Sequence, residues 1–147
     1  MHIELMTQVT DEVVDAFESL MSQLTRHVPS PPRKDLLEMA VSGFTFVFLA
    51  RVPDANGKIT GCATLGTYRS PTGLHGWIED VVVDRDFRRR GIGKALTEAC
   101  LSQAVKLGLR EVNLTSRPAR CAANQLYKSM GFIQRETNVY RFPLEPH

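Results

Sequence analysis

The sequence predicts a mixed α/β fold in which a mostly antiparallel central sheet of about seven strands is flanked by four helices. Two observations lead to this prediction. Apolar residues fall in strand-length stretches through the first half of the chain, and turn-forming residues separate those stretches. After Val83 the spacing changes, because from Ile92 onward apolar residues recur at helical intervals.

The first half of the chain predicts one strand, two helices and a meander of three strands. Residues 3–9 form the first predicted strand, and Thr10 or Asp11 can cap the helix that follows it. Pro32 is well placed to open a short second helix that ends near Val41. Turn sequences at 53–57 and 70–73 separate the next three strands, which are predicted at 44–51, 58–68 and 75–83.

The second half of the chain alternates between helix and strand. The helix that begins at Ile92 is expected to end at Gly108, and a short strand follows at 110–115. A further helix, ended by Gly131, precedes two last strands at 132–135 and 138–142. The predicted order is therefore β-α-α-β-β-β-α-β-α-β-β. We expect a single domain over residues 1–147, since no linker or repeat divides the chain.

Composition narrows the class of protein. The 147 residues are 43% hydrophobic and 23% charged, which is typical of a soluble globular protein. No apolar run approaches the ~20 residues that span a bilayer, and the first residues lack the pattern of a signal peptide. We therefore expect a cytoplasmic protein without a membrane partner. The net charge of +2 gives little reason to expect a nucleic-acid partner.

The cysteines and histidines do not predict a metal site or a disulfide framework. The chain has three cysteines, and they lie far apart in the sequence. Its four histidines, the last of which is His147, show no spacing that is typical of metal ligands or of a nucleophilic triad. We expect free thiols and no bound metal.

A basic turn with two glycines lies where the third helix begins. It consists of Arg88, Arg89, Arg90, Gly91, Ile92, Gly93, Lys94 and Ala95. A helix start presents unpaired backbone N–H groups and the positive end of the helix dipole, which together favour a phosphate. The arginines can add charge-assisted contacts. The spacing fits neither a P-loop nor a dinucleotide fingerprint, and the alternative is a solvated basic turn whose glycine supplies a positive φ.

Three features, in this order along the chain, resemble the GCN5-related N-acetyltransferase (GNAT) superfamily. The segment Trp77-Ile78-Glu79-Asp80-Val81-Val82-Val83 is similar to the strand that carries the catalytic carboxylate. Arg88-x-x-Gly91-x-Gly93 resembles the acetyl-CoA motif, and Ala123-x-x-Leu126-Tyr127-x-x-x-Gly131-Phe132 resembles a second motif. The resemblance is close in the C-terminal half, whereas the N-terminal half matches in layout only. It implies transfer of acetyl from acetyl-CoA, as co-substrate, to a primary amine by direct attack in a ternary complex.

The resemblance also implies a role for each motif. Glu79 corresponds to the general base that deprotonates the amine, directly or through a water, and Tyr127 to the acid that protonates the departing thiolate. The central strand splays from its neighbour in this superfamily. The backbone of Val81, Val82 and Val83 is therefore expected to bind pantetheine and to direct an N–H at the thioester oxygen. Residues 88–95 are expected to bind the pyrophosphate.

The sequence departs from the superfamily pattern just before the second motif. Where an asparagine often precedes the tyrosine by seven residues, this chain has Arg120, so Arg120 or Asn124 is expected to contact the coenzyme. Structural alternatives stay open, with Glu79 as a solvent-facing residue or a partner of an arginine and Tyr127 as a core aromatic. Cys121 lies at a helix start, where a thiol pKa can fall, but a covalent acetyl-cysteine route is disfavoured.

The sequence carries no recognisable code for the acceptor. A small amine, an amino-acid derivative, an antibiotic, and a protein N-terminus or lysine all stay open, with a small molecule favoured. Many members of the superfamily form homodimers, and nothing in the sequence decides whether this chain does. Two other classes compete with the enzyme: a non-catalytic acetyl-CoA-binding sensor or regulatory domain, and a small nucleic-acid-binding module that uses the arginine run.

Overall fold

The computed structural model describes residues 1–145. Its contacts group into two compact units, Met1–Thr115 and a second unit that begins at Ser116. The helices and strands of the described residues are β1 (His2–Leu5), α1 (Asp11–Leu24), α2 (Arg33–Val41), β2 (Thr45–Val52), β3 (Lys58–Ser70), β4 (Gly73–Val83), α3 (Ile92–Leu107), β5 (Val112–Asn113) and α4 (Cys121–Ser129). A short 3₁₀ turn, Arg85–Phe87, lies between β4 and α3.

The five strands form one mixed sheet in the order β1-β2-β3-β4-β5. The first three pairings are antiparallel, and β4 pairs with β5 in parallel. The predicted meander of three strands is therefore confirmed, as is the mixed α/β class. Gly57 allows the first turn, because its N–H donates to the Asp54 carbonyl at 2.9 Å and a Cβ there would lie 2.1 Å from the Val52 oxygen.

The prediction of seven strands was wrong at the last two. Residues 132–143 contain neither helix nor strand, although strands were expected at 132–135 and 138–142. The apolar side chains that suggested those strands, at Ile133, Val139, Tyr140 and Phe142, are between 74% and 87% exposed. An alternating pattern forms a strand only where a neighbouring backbone pairs with it, and the sheet described here ends at β5.

Helices α1 and α2 cover one face of the sheet, and α3 covers the other. The buried cluster beneath α1 and α2 consists of Met6, Val13, Phe17, Leu20, Leu36, Val47, Leu49, Ile59, Cys62 and Val82. Thr10 caps α1, as predicted, by accepting a 3.3 Å hydrogen bond from the Val13 N–H. On the other face α3 packs closely, since a Cβ on Gly61 would lie 3.1 Å from Leu96.

Candidate active site

Strand β4 separates from its neighbour halfway along its length. β5 pairs with it only at Gly76 and Trp77. Beyond Trp77, residues 78–83 have no strand paired on that side within the part of the chain described here. Val81, Val82 and Val83 lie on this stretch. An unpaired strand edge offers backbone N–H and C=O groups to an extended ligand.

A β-bulge interrupts β4 where its edge is open. Cys62 pairs with Val82 and Thr64 pairs with Glu79, so Asp80 and Val81 together lie opposite one residue of β3. Asp80 has a φ of 52°, a conformation that aspartate tolerates better than most side chains. The sequence analysis did not predict this bulge. The available signal was an aspartate, a poor strand former, directly before three valines.

Glu79 lies on the sheet face that α1 and α2 cover. It is paired with Thr64, and Thr64 is paired with Val47, which belongs to the cluster beneath those helices. The Glu79 side chain is exposed and has no hydrogen bond or ion pair within the described residues. Partial loss of hydration raises the pKa of Glu79, and the charge of Asp80 raises it further. The raised pKa makes this carboxylate a stronger base than an ordinary glutamate.

Asp84 follows β4 directly and has the opposite environment. It is 6% exposed, and its carboxylate accepts a 3.1 Å hydrogen bond from the Asp86 N–H and lies 3.4 Å from Lys58 Nζ. The Asp86 N–H is the main cause that lowers the pKa of Asp84; burial opposes it and Lys58 adds to it. Asp84 thus caps the 3₁₀ turn and fixes the direction in which the chain leaves β4, a role that the sequence analysis missed.

The start of α3 has no side-chain cap. Gly91 occupies the N-cap position with a φ of 77°, and the first helical hydrogen bond runs from the Ala95 N–H to the Gly91 carbonyl at 3.0 Å. The N–H groups of Ile92, Gly93 and Lys94 therefore have no helical partner. Apart from the adjoining backbone, no described atom lies within 4 Å of the position that a Gly91 Cβ would take. An anion has both room and unpaired donors in front of this helix.

The three arginines of the turn have different contacts. Arg88 Nε donates to the Val83 carbonyl at 3.2 Å. Arg90 donates to the Asp86 carbonyl at 3.4 Å and lies 5.0 Å from the centre of the Phe87 ring. Arg89 is exposed, has a φ of 63°, and makes no side-chain hydrogen bond or ion pair with residues 1–145. Arg88 and Arg90 thus stabilise the turn, while the Arg89 guanidinium lies beside the helix start without a hydrogen-bond or ion-pair partner among residues 1–145.

Among the predicted phosphate-binding residues, Ala95 differs from its neighbours. Its N–H is used inside α3, so its amide cannot reach a phosphate. The amides of Ile92, Gly93 and Lys94 can, and the role of residues 88–95 as a whole stays a prediction.

In the second unit, Tyr127 is part of the C-terminal cap of α4. Its carbonyl accepts a 3.0 Å hydrogen bond from the Phe132 N–H, and the Lys128 carbonyl accepts one of 3.1 Å from Gly131, which has a φ of 99°. These two bonds form a Schellman motif. The Phe132 ring packs edge-on against Tyr127 with ring centres 5.6 Å apart. The Tyr-x-x-x-Gly-Phe pattern thus ends α4 and holds the Tyr127 ring.

The start of α4 contains both candidates for the missing asparagine contact. Asn124 Nδ2 donates to the Arg117 carbonyl at 3.0 Å, so its amide holds the preceding loop. Arg120 precedes the first helical residue, is exposed, and its guanidinium has no bonded partner in the described chain. Which of the two contacts the coenzyme stays a prediction.

No group of three or more His, Cys, Asp or Glu side chains among the described residues could hold a metal ion. His147 lies outside those residues. Of the helices described, none is long and apolar enough to cross a membrane.

Comparisons with known proteins give consistent matches. A family-wide sequence model described as the acetyltransferase (GNAT) family matches residues 13–132. An aminoglycoside N(6′)-acetyltransferase type 1 from Stenotrophomonas maltophilia is 32% identical over 125 residues, which cover 78% of this chain and 78% of that protein. The ribosomal protein bS18-alanine N-acetyltransferase of Escherichia coli K12 is 38% identical over 64 residues, or 44% of this chain and 43% of that protein.

Among solved structures, AAC(6′)-Iy in complex with the bisubstrate analogue CoA-S-monomethyl-acetylneamine superimposes with a TM-score of 0.76. It is 21% identical in sequence, and the match covers 97% of this chain and 99% of that chain. At this identity the likeness shows that the two chains share a fold.

Proposed function

Since the chain belongs to the acetyltransferase (GNAT) family, we propose that it transfers acetyl from acetyl-CoA to the nitrogen of a small primary amine. The observation that carries this proposal is that the open edge of β4 is followed closely along the chain by the uncapped start of α3. These features follow one another along the chain, and they suit an extended ligand with phosphates near one end.

The residues present fit coenzyme A. The N–H groups of Ile92, Gly93 and Lys94, with the free charge of Arg89, suit its pyrophosphate, and the backbone of residues 81–83 suits pantetheine. When bound, acetyl-CoA supplies an acetyl group that is activated as a thioester. The complex of AAC(6′)-Iy with a CoA bisubstrate analogue supports this choice of donor.

Glu79 is proposed as the general base. A primary amine with a pKa near 10 is protonated at neutral pH, so its nitrogen has no lone pair until a proton is removed. Glu79 takes the first proton, directly or through a water, and the lone pair that this frees forms the new N–C bond. As the C–S bond breaks, the Tyr127 phenol gives its proton to the departing sulfur, and the second proton that the nitrogen loses as the amide forms returns to the phenolate through solvent. An N–H of the open β4 edge near Val81 stabilises the charge on the carbonyl oxygen.

The buried thiols support direct attack by the amine. Burial raises the pKa of Cys62 and of Cys100 to about 12, so neither is available as a thiolate that could carry an acetyl group. Cys121 is exposed. Direct transfer in a ternary complex requires none of the three.

Isothermal titration with acetyl-CoA and dephospho-CoA tests donor binding. The chain provides a matched pair of variants, because Gly91 and Gly108 begin and end α3 with φ values of 77° and 76°, and both have open space around a Cβ. A carboxylate at the helix start competes with phosphate for the same N–H groups. We expect Gly91→Asp to bind acetyl-CoA at least about tenfold more weakly, a loss of about 1.4 kcal/mol.

Gly108→Asp should retain wild-type affinity, since it places the same charge in the same backbone conformation at the far end of the helix. Equal affinity of the two variants contradicts the proposed phosphate site. Failure of the wild-type protein to bind acetyl-CoA contradicts the proposed function as a whole.

A further inference from the structure

A row of aromatic side chains lies beside Glu79 on one face of the sheet. Side chains alternate along a strand, so His75 and Trp77 of β4 project to the same face as Glu79. Tyr68 of β3 is paired with His75, and its ring stacks on the imidazole with centres 5.2 Å apart and planes 27° apart. The row ends at the proposed base.

A glycine, which has no side chain, lies beside this row on β3. Gly66 pairs with Trp77 on one side and with Thr45 on the other, and it lies between Thr64 and Tyr68 on β3. Apart from its chain neighbours, the atom nearest to the position of a Gly66 Cβ is the Trp77 carbonyl oxygen, 3.9 Å away, so a Cβ fits there in ordinary van der Waals contact. We call the surface formed by Gly66, Tyr68, His75 and Trp77 the ring trough.

The walls of the ring trough are held in place before any ligand binds. His75 Nε2 lies 2.7 Å from the Ser70 hydroxyl and 2.9 Å from that of Thr72, which fixes the imidazole against Tyr68. Tyr68 is nevertheless 50% exposed. A large aromatic side chain that is fixed but uncovered presents a face on which a ligand can stack.

The position and the charge of the residues around the ring trough indicate which kind of ligand it would bind. Trp77 and Glu79 are two residues apart on a strand, so their Cα atoms are about 7 Å apart and their side chains project to the same face. Glu79 and Asp80 are adjacent carboxylates and favour a cation at that end. The indole face favours a ring or a positively charged group.

We propose that the ring trough is the acceptor subsite, and that the preferred acceptor is a small cationic amine whose reacting nitrogen is attached directly beside a ring. The ring lies over Gly66 against Trp77, and the ammonium faces Glu79. This inference rests on the proposed function, because it takes Glu79 as the base. An amine on an unbranched chain leaves the trough unfilled.

The fluorescence of Trp77 provides a readout that does not depend on turnover, because the chain contains one tryptophan. Cyclohexylmethylamine, a 6-amino-6-deoxy sugar and heptylamine are titrated into the protein bound to coenzyme A. We expect the two ring-bearing amines to change the emission and to bind at least tenfold more tightly than heptylamine. The alicyclic and sugar arms distinguish an apolar ring from a polyhydroxylated one. Tighter binding of heptylamine overturns the inference.

Gly66→Val is the decisive variant. Valine suits a strand, and its Cβ fits at Gly66 in ordinary contact with the Trp77 carbonyl oxygen, but its side chain occupies the trough. We expect kcat/KM for the ring-bearing amines to fall at least tenfold, with a clearly smaller loss for heptylamine and with affinity for acetyl-CoA retained. The control is Phe44→Ala. Phe44 is 62% exposed and lies just before β2. It is two residues before Phe46, whose side chain projects to the sheet face opposite the ring trough, so Phe44 is expected to project there as well. Its loss should change neither value.

The two proposals fail in different ways. Acetylation of amines without a preference for rings, or an equal loss for all amines in Gly66→Val, overturns the ring trough and leaves the enzyme in place. A Trp77 response to ring-bearing amines without any acetyl transfer overturns the proposed function and leaves the trough as a binding site. Acetylation of peptide N-termini in preference to these small amines overturns the acceptor class.

Discussion

The middle of β4 and the turn that follows it each carry a carboxylate, and the fold places the two in opposite environments. Glu79 sits at the bulge on the open edge, exposed and without a donor among the described residues. Asp84, five residues later, is buried and accepts a hydrogen bond from the Asp86 N–H with Lys58 close by. The pKa of Glu79 is raised, and that of Asp84 is lowered.

In the proposed mechanism, this difference assigns proton transfer to Glu79 and stabilisation of the turn to Asp84. A carboxylate whose donors are satisfied stays ionised and stabilises the turn that holds it. A carboxylate without donors and with reduced hydration gains less from its charge, so its pKa is raised and it binds a proton more readily than an ordinary glutamate. The same comparison distinguishes the hydrogen-bonded turn after β4 from the middle of the strand, where Glu79 has no donor among the described residues.

The largest expected effect is that of Glu79→Gln on turnover. Removal of the general base should lower kcat by about 10²- to 10⁴-fold, while affinity for acetyl-CoA is retained. Stability should not fall. Because the folded-state pKa of Glu79 is raised, its ionisation disfavours the fold as pH rises through that pKa, and the amide removes this effect. Steady-state kinetics and thermal melting at neutral pH measure both quantities.

The matched control for that variant is Asp84→Asn, which neutralises the other carboxylate. Its kcat per folded molecule should stay near that of the wild-type protein. A large loss of kcat in Asp84→Asn, with Glu79→Gln nearly unaffected, would reverse the assignment of the two carboxylates.

The next effect in size concerns Tyr127. Tyr127→Phe keeps the ring that packs against Phe132 but removes the phenol proton. We expect kcat to fall by about 10²-fold with unchanged affinity for acetyl-CoA, measured by coenzyme A release and by titration. Unchanged turnover would remove Tyr127 as the acid. A wild-type protein that binds acetyl-CoA but acetylates no amine would instead favour the sensor.

Asp84→Asn should show its effect in stability. The asparagine amide oxygen can still accept from the Asp86 N–H, so loss of the charge is expected to cost about 1 kcal/mol at neutral pH. The lowered pKa of Asp84 means that its contribution is present above the ordinary aspartate pKa and is lost as pH falls through the lowered value. Urea unfolding should therefore show a gap between variant and wild type at neutral pH that closes in acid. A gap of constant size would contradict the charged cap.

The smallest effect is a displaced pH profile in Asp80→Asn. Asparagine tolerates the positive φ of this position, so the bulge is kept while the charge is removed. The charge of Asp80 is the lesser of the two causes that raise the pKa of Glu79. The acid limb of kcat/KM should consequently move to lower pH in the variant. A limb that stays in place, or moves to higher pH, would show that Asp80 does not act on the base.

The sequence correctly predicted those features that are determined by residues close together in the chain. Helix α3 begins at Ile92 and ends before Gly108, as predicted, because glycine at each end adopts the positive φ that the caps require. Gly131 ends α4 for the same reason. Thr10 caps α1 through its own side chain. Each of these features depends on residues within one turn of the helix end.

Features that depend on distant backbone were missed. The alternation of residues 132–142 suggested strands, yet those residues have no paired neighbour in the described sheet. The bulge at Asp80 exists because β3 supplies one fewer residue than β4, which cannot be seen in β4 alone. The ring trough depends on the pairing of Gly66 with Trp77. Glu79 itself was found by resemblance, and its environment came only from the structure.

The most direct test of the role of Glu79 is the pH dependence of acetyl transfer by Glu79→Gln. If Glu79 serves to remove a proton from the amine, the variant lacks only a function that hydroxide can replace. Its rate should rise about tenfold per pH unit toward the amine pKa near 10 and approach that of the wild-type protein, in which Glu79 is ionised once the pH exceeds its pKa. A variant rate that stays low and flat across this range would contradict the account of Glu79 as the base.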